Sequence, residues 1–188
     1  MEVDKIESTD NKSPMVFLEA RDGVIEIEYS VFKNYTSIIK SPDVSICEST
    51  TITTNSSDAK DSDEIHDIHI DLSKYDVQRS TVELLCKYMV NHMDNIIRER
   101  IPMDVPLVSG VLKKIYKTDV DIRFFEHIND NIELICEFIG LTCLLKCDHI
   151  NDKVSALFTT HLKRAINIKL GTLDKTPLDI LRKKLSGF

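Results

Sequence analysis

Three cysteines, Cys136, Cys143 and Cys147, fall seven and four residues apart with His149 close behind, residue types and helical spacing from which a zinc site could be assembled. Tetrahedral ligation usually draws close pairs from two separate segments, whereas these thiols interleave with Leu and Ile, so the spacing predicts buried apolar cysteines and no metal. His66 and His69 would point to opposite faces of a strand, a poor geometry for one ion. His161 lies on an apolar helical face and reads as a hydrogen-bonded core histidine. The five glycines, Gly23, Gly110, Gly140, Gly171 and Gly187, stand singly, so neither a P-loop nor a dinucleotide fingerprint can be written, and no Gly-x-Ser-x-Gly elbow occurs. With no nucleophile, base or phosphate cradle specified, the expectation is a non-catalytic protein without a cofactor.

The bulk properties agree with a binding role. The 188 residues, 42% of them hydrophobic, suffice for one ordinary core with a helical annex. The five cysteines, Cys47 and Cys86 included, form an odd set within apolar segments, and Met1 opens no signal peptide. A reducing compartment, cytoplasm or nucleus, is therefore expected. No apolar run reaches the ~18 uninterrupted residues of a membrane helix, because Glu137 and Lys146 interrupt the best candidate, so a soluble chain is expected. Residues 1–149 carry 28 acidic and 16 basic side chains, and residues 150–188 carry three and eight. An acidic body repels phosphates, which argues against nucleic acid and for a protein partner.

Residues 1–14 are polar, lack periodicity and read as a disordered tail. Val16 and Leu18, then Ile25, Ile27 and Tyr29, alternate around Asp22-Gly23, predicting a β-hairpin whose glycine supplies positive φ. Ser30 caps a predicted short helix through Ile39 that buries Val31, Phe32, Tyr35 and Ile38. From about 43 to 64 the chain is Ser/Thr/Asn/Asp-rich, predicting a disordered acidic loop, and Ile68, Ile70 and Leu72 predict a third strand. Ser80 with Glu83 makes a capping box ahead of the stripe Val82, Leu85, Cys86, Met89 and Met93. Residues 94–121 read as a long irregular connection with a short helix near Val111 to Tyr116. A second capping box, Asp130 with Glu133, opens a buried helix spanning Ile132 to Cys147. An amphipathic helix follows through Val154, Leu157, Phe158, His161 and Leu162, and a last one starts at Thr176-Pro177.

Hairpin, short helix, acidic loop, third strand, then helices only: this order resembles the BTB/POZ fold of the S-phase-kinase-associated (Skp) adaptors and elongin C. The local matches are Asp22-Gly23, Ile70-Asp71-Leu72 before Val82-x-x-Leu85-Cys86-x-Tyr88, Glu133-Leu134-Ile135 with Leu141, and Lys175-Thr176-Pro177 through Ile180 and Arg182. The resemblance implies an α/β fold, a small three-stranded sheet covered by helices, with residues 15–148 as the BTB/POZ domain and 149–188 as a C-terminal helical extension.

It further implies an adaptor that bridges a cullin and an F-box-type substrate receptor in an SCF-type E3 ubiquitin ligase. A cullin would meet the surface around Glu137, Ile139 and Gly140, where the chain departs from the family's Asn-Tyr pair. A receptor helix would bury apolar surface against Leu178, Leu181 and Leu185. The alternatives are an elongin C-like adaptor and a free-standing BTB module that self-associates as a homodimer.

Overall fold

A computed structural model describes residues 13–40, 52–54, 67–93, 111–116, 118–167 and 176–187. The architecture is mixed α/β. Strands β1 (Met15–Ala20) and β2 (Gly23–Glu28) form an antiparallel hairpin in which Ala20 faces Gly23. The turn is therefore Arg21-Asp22, one residue earlier than the Asp22-Gly23 expected. Gly23 opens β2 at φ 151°, and a Cβ there would sit 3.0 Å from Arg79 Cδ, so backbone and packing both call for glycine. Alternation sends Val16, Leu18, Ala20, Ile25 and Ile27 inward, while Glu19, Val24, Glu26 and Glu28 face solvent.

Two further strands, β3 (Ile52–Thr54) and β4 (Ile68–Asp71), complete a sheet of order β2-β1-β4-β3. The predicted third strand is β4, which runs parallel to β1 with Ile70 beside Leu18. The short edge strand β3 is a correction to the disordered loop expected across 43–64. Its three consecutive β-branched residues suit a pleated edge and pair antiparallel with β4. The rest of that stretch, and the expected tail up to residue 12, lie outside the described residues.

Helix α1 (Tyr29–Tyr35) buries Val31, Phe32 and Tyr35 and ends sooner than expected, with a separate 3₁₀ turn at Ile38–Lys40. Thr36 interrupts it. Its backbone is extended, and its hydroxyl donates to the Leu145 carbonyl while accepting from the Ile38 amide. That local side-chain bonding outcompetes helix continuation.

Helix α2 (Arg79–Asn91) carries the expected stripe, with Val82, Leu85, Cys86 and Met89 buried together with Tyr88. A short helix α3 (Leu112–Ile115) matches the sequence reading, whereas α4 (Asp119–Ile128) begins inside the stretch read as irregular. Thr118 caps α4 by accepting from the Asp121 amide, and Asp119 and Asp121 place negative charge in its first turn.

Helix α5 (Ile132–Leu144) is the centre of the helical layer, packed against α2, α4, α6 (Asp148–Asn167) and α7 (Thr176–Leu185). Every residue from Ile135 to Thr142 is buried, which a one-faced helix could not achieve. Asn131, not Asp130, caps it by accepting from the Leu134 amide at 3.0 Å. Lys146 leaves the helix at φ 51°, a left-handed exit. Ile150, Val154, Leu157 and Phe158 of α6 join the same core as the sheet and α2. Among the described residues no helix is long and apolar enough to cross a membrane.

Candidate functional site

The residues expected to meet a cullin are inside the chain. Glu137 is 4% and Ile139 8% exposed, and Gly140 is buried with them, so this surface assignment is corrected. Helix α7 packs against α5, and α2 and α6 cover it elsewhere.

Glu137 has work of its own there. Helix α2 receives no cap from its own Gln78 side chain, and the expected Ser80/Glu83 box does not form because Ser80 already lies within the helix. The free amides at its start are met from elsewhere. Asp22 Oδ1 accepts from the Arg79 amide at 2.6 Å, and Glu137 Oε1 accepts from the Gln78 amide at 2.8 Å and the Thr81 hydroxyl at 2.7 Å. Two carboxylates at a helix N-terminus also sit at the positive end of its dipole. The second Glu137 oxygen, Oε2, lies 3.4 Å from Lys184 Nζ on α7, and Lys184 also approaches Asp76 at 3.8 Å.

The three leucines expected to face a receptor divide. Leu181 packs against the core with Ile180, Leu178 is half-buried, and Leu185 is 40% exposed. Leu178 and Leu185 are seven residues apart and so share one side of α7.

A second buried carboxylate was not foreseen. Asp121 on α4, 3% exposed, accepts from the Tyr88 hydroxyl at 2.7 Å and from Lys153 Nζ at 2.6 Å, with His92 Nε2 at 3.1 Å. The His92 contact has ion-pair distance without hydrogen-bond alignment. His92 Nδ1 lies 2.7 Å from the Tyr88 carbonyl, which can only accept, so Nδ1 carries a proton. The imidazole stacks on the Tyr88 ring at 3.8 Å. Lys153 Nζ also donates to the Tyr88 oxygen, and the Tyr116 hydroxyl donates to the Lys153 carbonyl. Helices α2, α4 and α6 thus meet at one carboxylate.

Burial by itself would raise Asp121, but the contacts from His92, Lys153 and Tyr88 and the Lys153 charge outweigh it and hold the carboxyl well below the usual range. Burial first, and then the Asp121 charge, push the Tyr88, Tyr116 and Tyr35 phenols up. They stay neutral donors. The one sequence signal for this cluster was Thr118 three residues before Asp121; nothing local linked Asp121 to Tyr88 or Lys153.

Cys86, Cys136 and Cys147 are buried as expected, whereas Cys143 is exposed, its thiol donating to Asn151 Oδ1 at 3.4 Å. Burial pushes the Cys86 thiol up to about 12 and Cys136 up to about 11, and raises Cys147 as well. Their thiolate fraction, and with it their reactivity, is low. His69 stacks on Phe17 at 4.6 Å. Cys47 and His66 lie outside the described residues. Among the described residues, no group of three or more His, Cys, Asp or Glu side chains is arranged to hold a metal ion.

Comparison of the chain with protein-family models, curated proteins and solved structures finds no match.

Proposed function

We propose that the chain is a Skp-like protein of the BTB/POZ class, a non-catalytic adaptor that links a cullin to an F-box-type receptor in an SCF-type ubiquitin ligase. One observation carries the reading: among the described residues, a hairpin, then α1, then the short edge strand β3 and the strand β4 parallel to β1, then helices. Strand β2 ends and β4 starts at the same end of the sheet, beside the start of β1, so the connection between them needs no crossover and is where the sequence places the short helix and the polar stretch on which the resemblance rests.

The receptor seat in this proposal is the side of α7 that carries Leu178 and Leu185, with the partly buried Leu181 packed against the core. Burying a large aliphatic side chain completely is worth roughly 1.5–3 kcal/mol, so the two partly exposed leucines would supply about 2 kcal/mol together. Because Glu137, Ile139 and Gly140 are used internally, a cullin would contact other side chains of the body.

Light scattering of the full chain mixed with a cullin N-terminal domain and an F-box protein tests this. A 1:1:1 complex is expected, with the F-box affinity falling at least tenfold in Leu178→Ser/Leu185→Ser at unchanged Tm. A stable homodimer that ignores both partners would overturn the adaptor reading in favour of self-association.

A further inference from the structure

Helix α7 is joined to the body differently from every other long helix. None of residues 177–187 is fully buried, and its apolar contribution to the core is the partly buried pair Ile180 and Leu181. A ten-residue helix is not stable alone in water, so α7 persists only while docked. Beneath it, by contrast, Cys136 is 0% and Glu137 4% exposed. Cys136 adjoins Glu137 on α5, the helix against which α7 packs and to which Lys184 is paired.

The polar contacts are also uneven. Glu137 keeps its bonds to the Gln78 amide and the Thr81 hydroxyl whether or not α7 is present, because both belong to the start of α2. Only Oε2 depends on α7, through Lys184, whose side chain is 19% exposed and therefore partly shielded from solvent. Losing α7 would leave Glu137 bonded and newly hydrated, with no stranded buried charge. Gly187 closes the far end, where an added Cβ would sit 3.3 Å from Asp76 Cβ.

We propose that α7 is a strap latched by Lys184 to Glu137, opening as a unit ahead of the body and baring the α5 face that carries Cys136. Its opening is a local event, set by the part-shielded Lys184 contacts to Glu137 and Asp76 and by half-buried side chains, Leu178, Ile180 and Leu181 among them, with no fully buried one. This does not depend on the adaptor reading.

The cysteines report it directly. In pulse labelling of the native full chain with N-ethylmaleimide, read site by site by mass spectrometry, Cys143 is expected to react at once. Cys136 should react much faster than Cys86 on α2 and Cys147 before α6, which are buried in the core and so report opening of the body. Lys184→Met should speed Cys136 about tenfold, the loss expected for a pair between the exposed and buried extremes, with Cys86 and Cys147 unchanged. Lys183→Met, an exposed neighbour, should change nothing. Equal rates at Cys136, Cys86 and Cys147 would overturn the strap. A Lys184→Met effect that is absent, or shared by all three, would overturn the latch.

Discussion

Replacing Asp121 by Asn removes the negative charge on which three helices converge while leaving the size of the side chain nearly unchanged. The amide offers one acceptor in place of two, so either Lys153 Nζ, now at 2.6 Å from a carboxylate oxygen, or the Tyr88 hydroxyl at 2.7 Å faces an NH₂. The ammonium is then uncompensated at a position where its side chain is 14% exposed. Breaking a buried pair in this way costs about 3–5 kcal/mol, and the small exposure that lets Lys153 shift toward water puts the loss near the lower end, about 3 kcal/mol. A domain holds only ~5–15 kcal/mol in total, so this is a large fraction.

Urea unfolding at pH 7 of wild type, Asp121→Asn, Lys153→Met and the double variant measures it. The double variant should recover at least about 1 kcal/mol relative to the sum of the singles, because it removes the stranded cation. The pH dependence has a fixed sign. Asp121 is held below its unfolded value, so its contribution is fully present above about pH 4 and is lost as pH falls through the lower folded value. The gap between wild type and Asp121→Asn should therefore narrow below about pH 4. A loss under about 1 kcal/mol at pH 7, strict additivity, or a gap that widens in acid would refute the reasoning.

Gly23→Ala should cost roughly 1–2 kcal/mol, seen as a lowered Tm, because φ 151° strains any side chain and the Cβ would press on Arg79 Cδ; an unchanged Tm would mean the hairpin relaxes freely. Alkaline stability should fall from about pH 9 upward, since Cys86 and Cys136 titrate near about 12 and 11 when folded but near ~8.5 when unfolded. Urea melts at pH 7 and 10 check this, and Cys86→Ala should blunt the decline.

The hairpin, the strand at Ile68, the α2 stripe and the burial of α5 were legible because each rests on a local period that one face of a strand or helix must satisfy. Helix α4 was missed because its apolar residues Ile122, Phe124, Phe125 and Ile128 follow a stretch broken by Pro102 and Pro106, which masked the Thr118 cap. Both predicted capping boxes failed, the one at α5 because the adjacent Asn131 supplies the cap. A Ser or Asp before an acidic residue is a local opportunity, and at α2 it lost to carboxylates arriving from the hairpin and from α5.

The candidate partner surface shows the same division. Sequence alone determined which residue types α5 and α7 would carry and that their leucines would recur at helical spacing. It could not decide that Glu137 would turn inward, because its exposure depends on α7 lying over it and on the start of α2, 59 residues away in sequence, presenting an unmet amide. Likewise Asp121 and Tyr88 are 33 residues apart, and only the packing of three helices brings a donor to each carboxylate oxygen. Period and composition set the faces that seek burial. Tertiary structure alone decides which charges are taken in with them, since a buried carboxylate is tolerable only where distant donors converge.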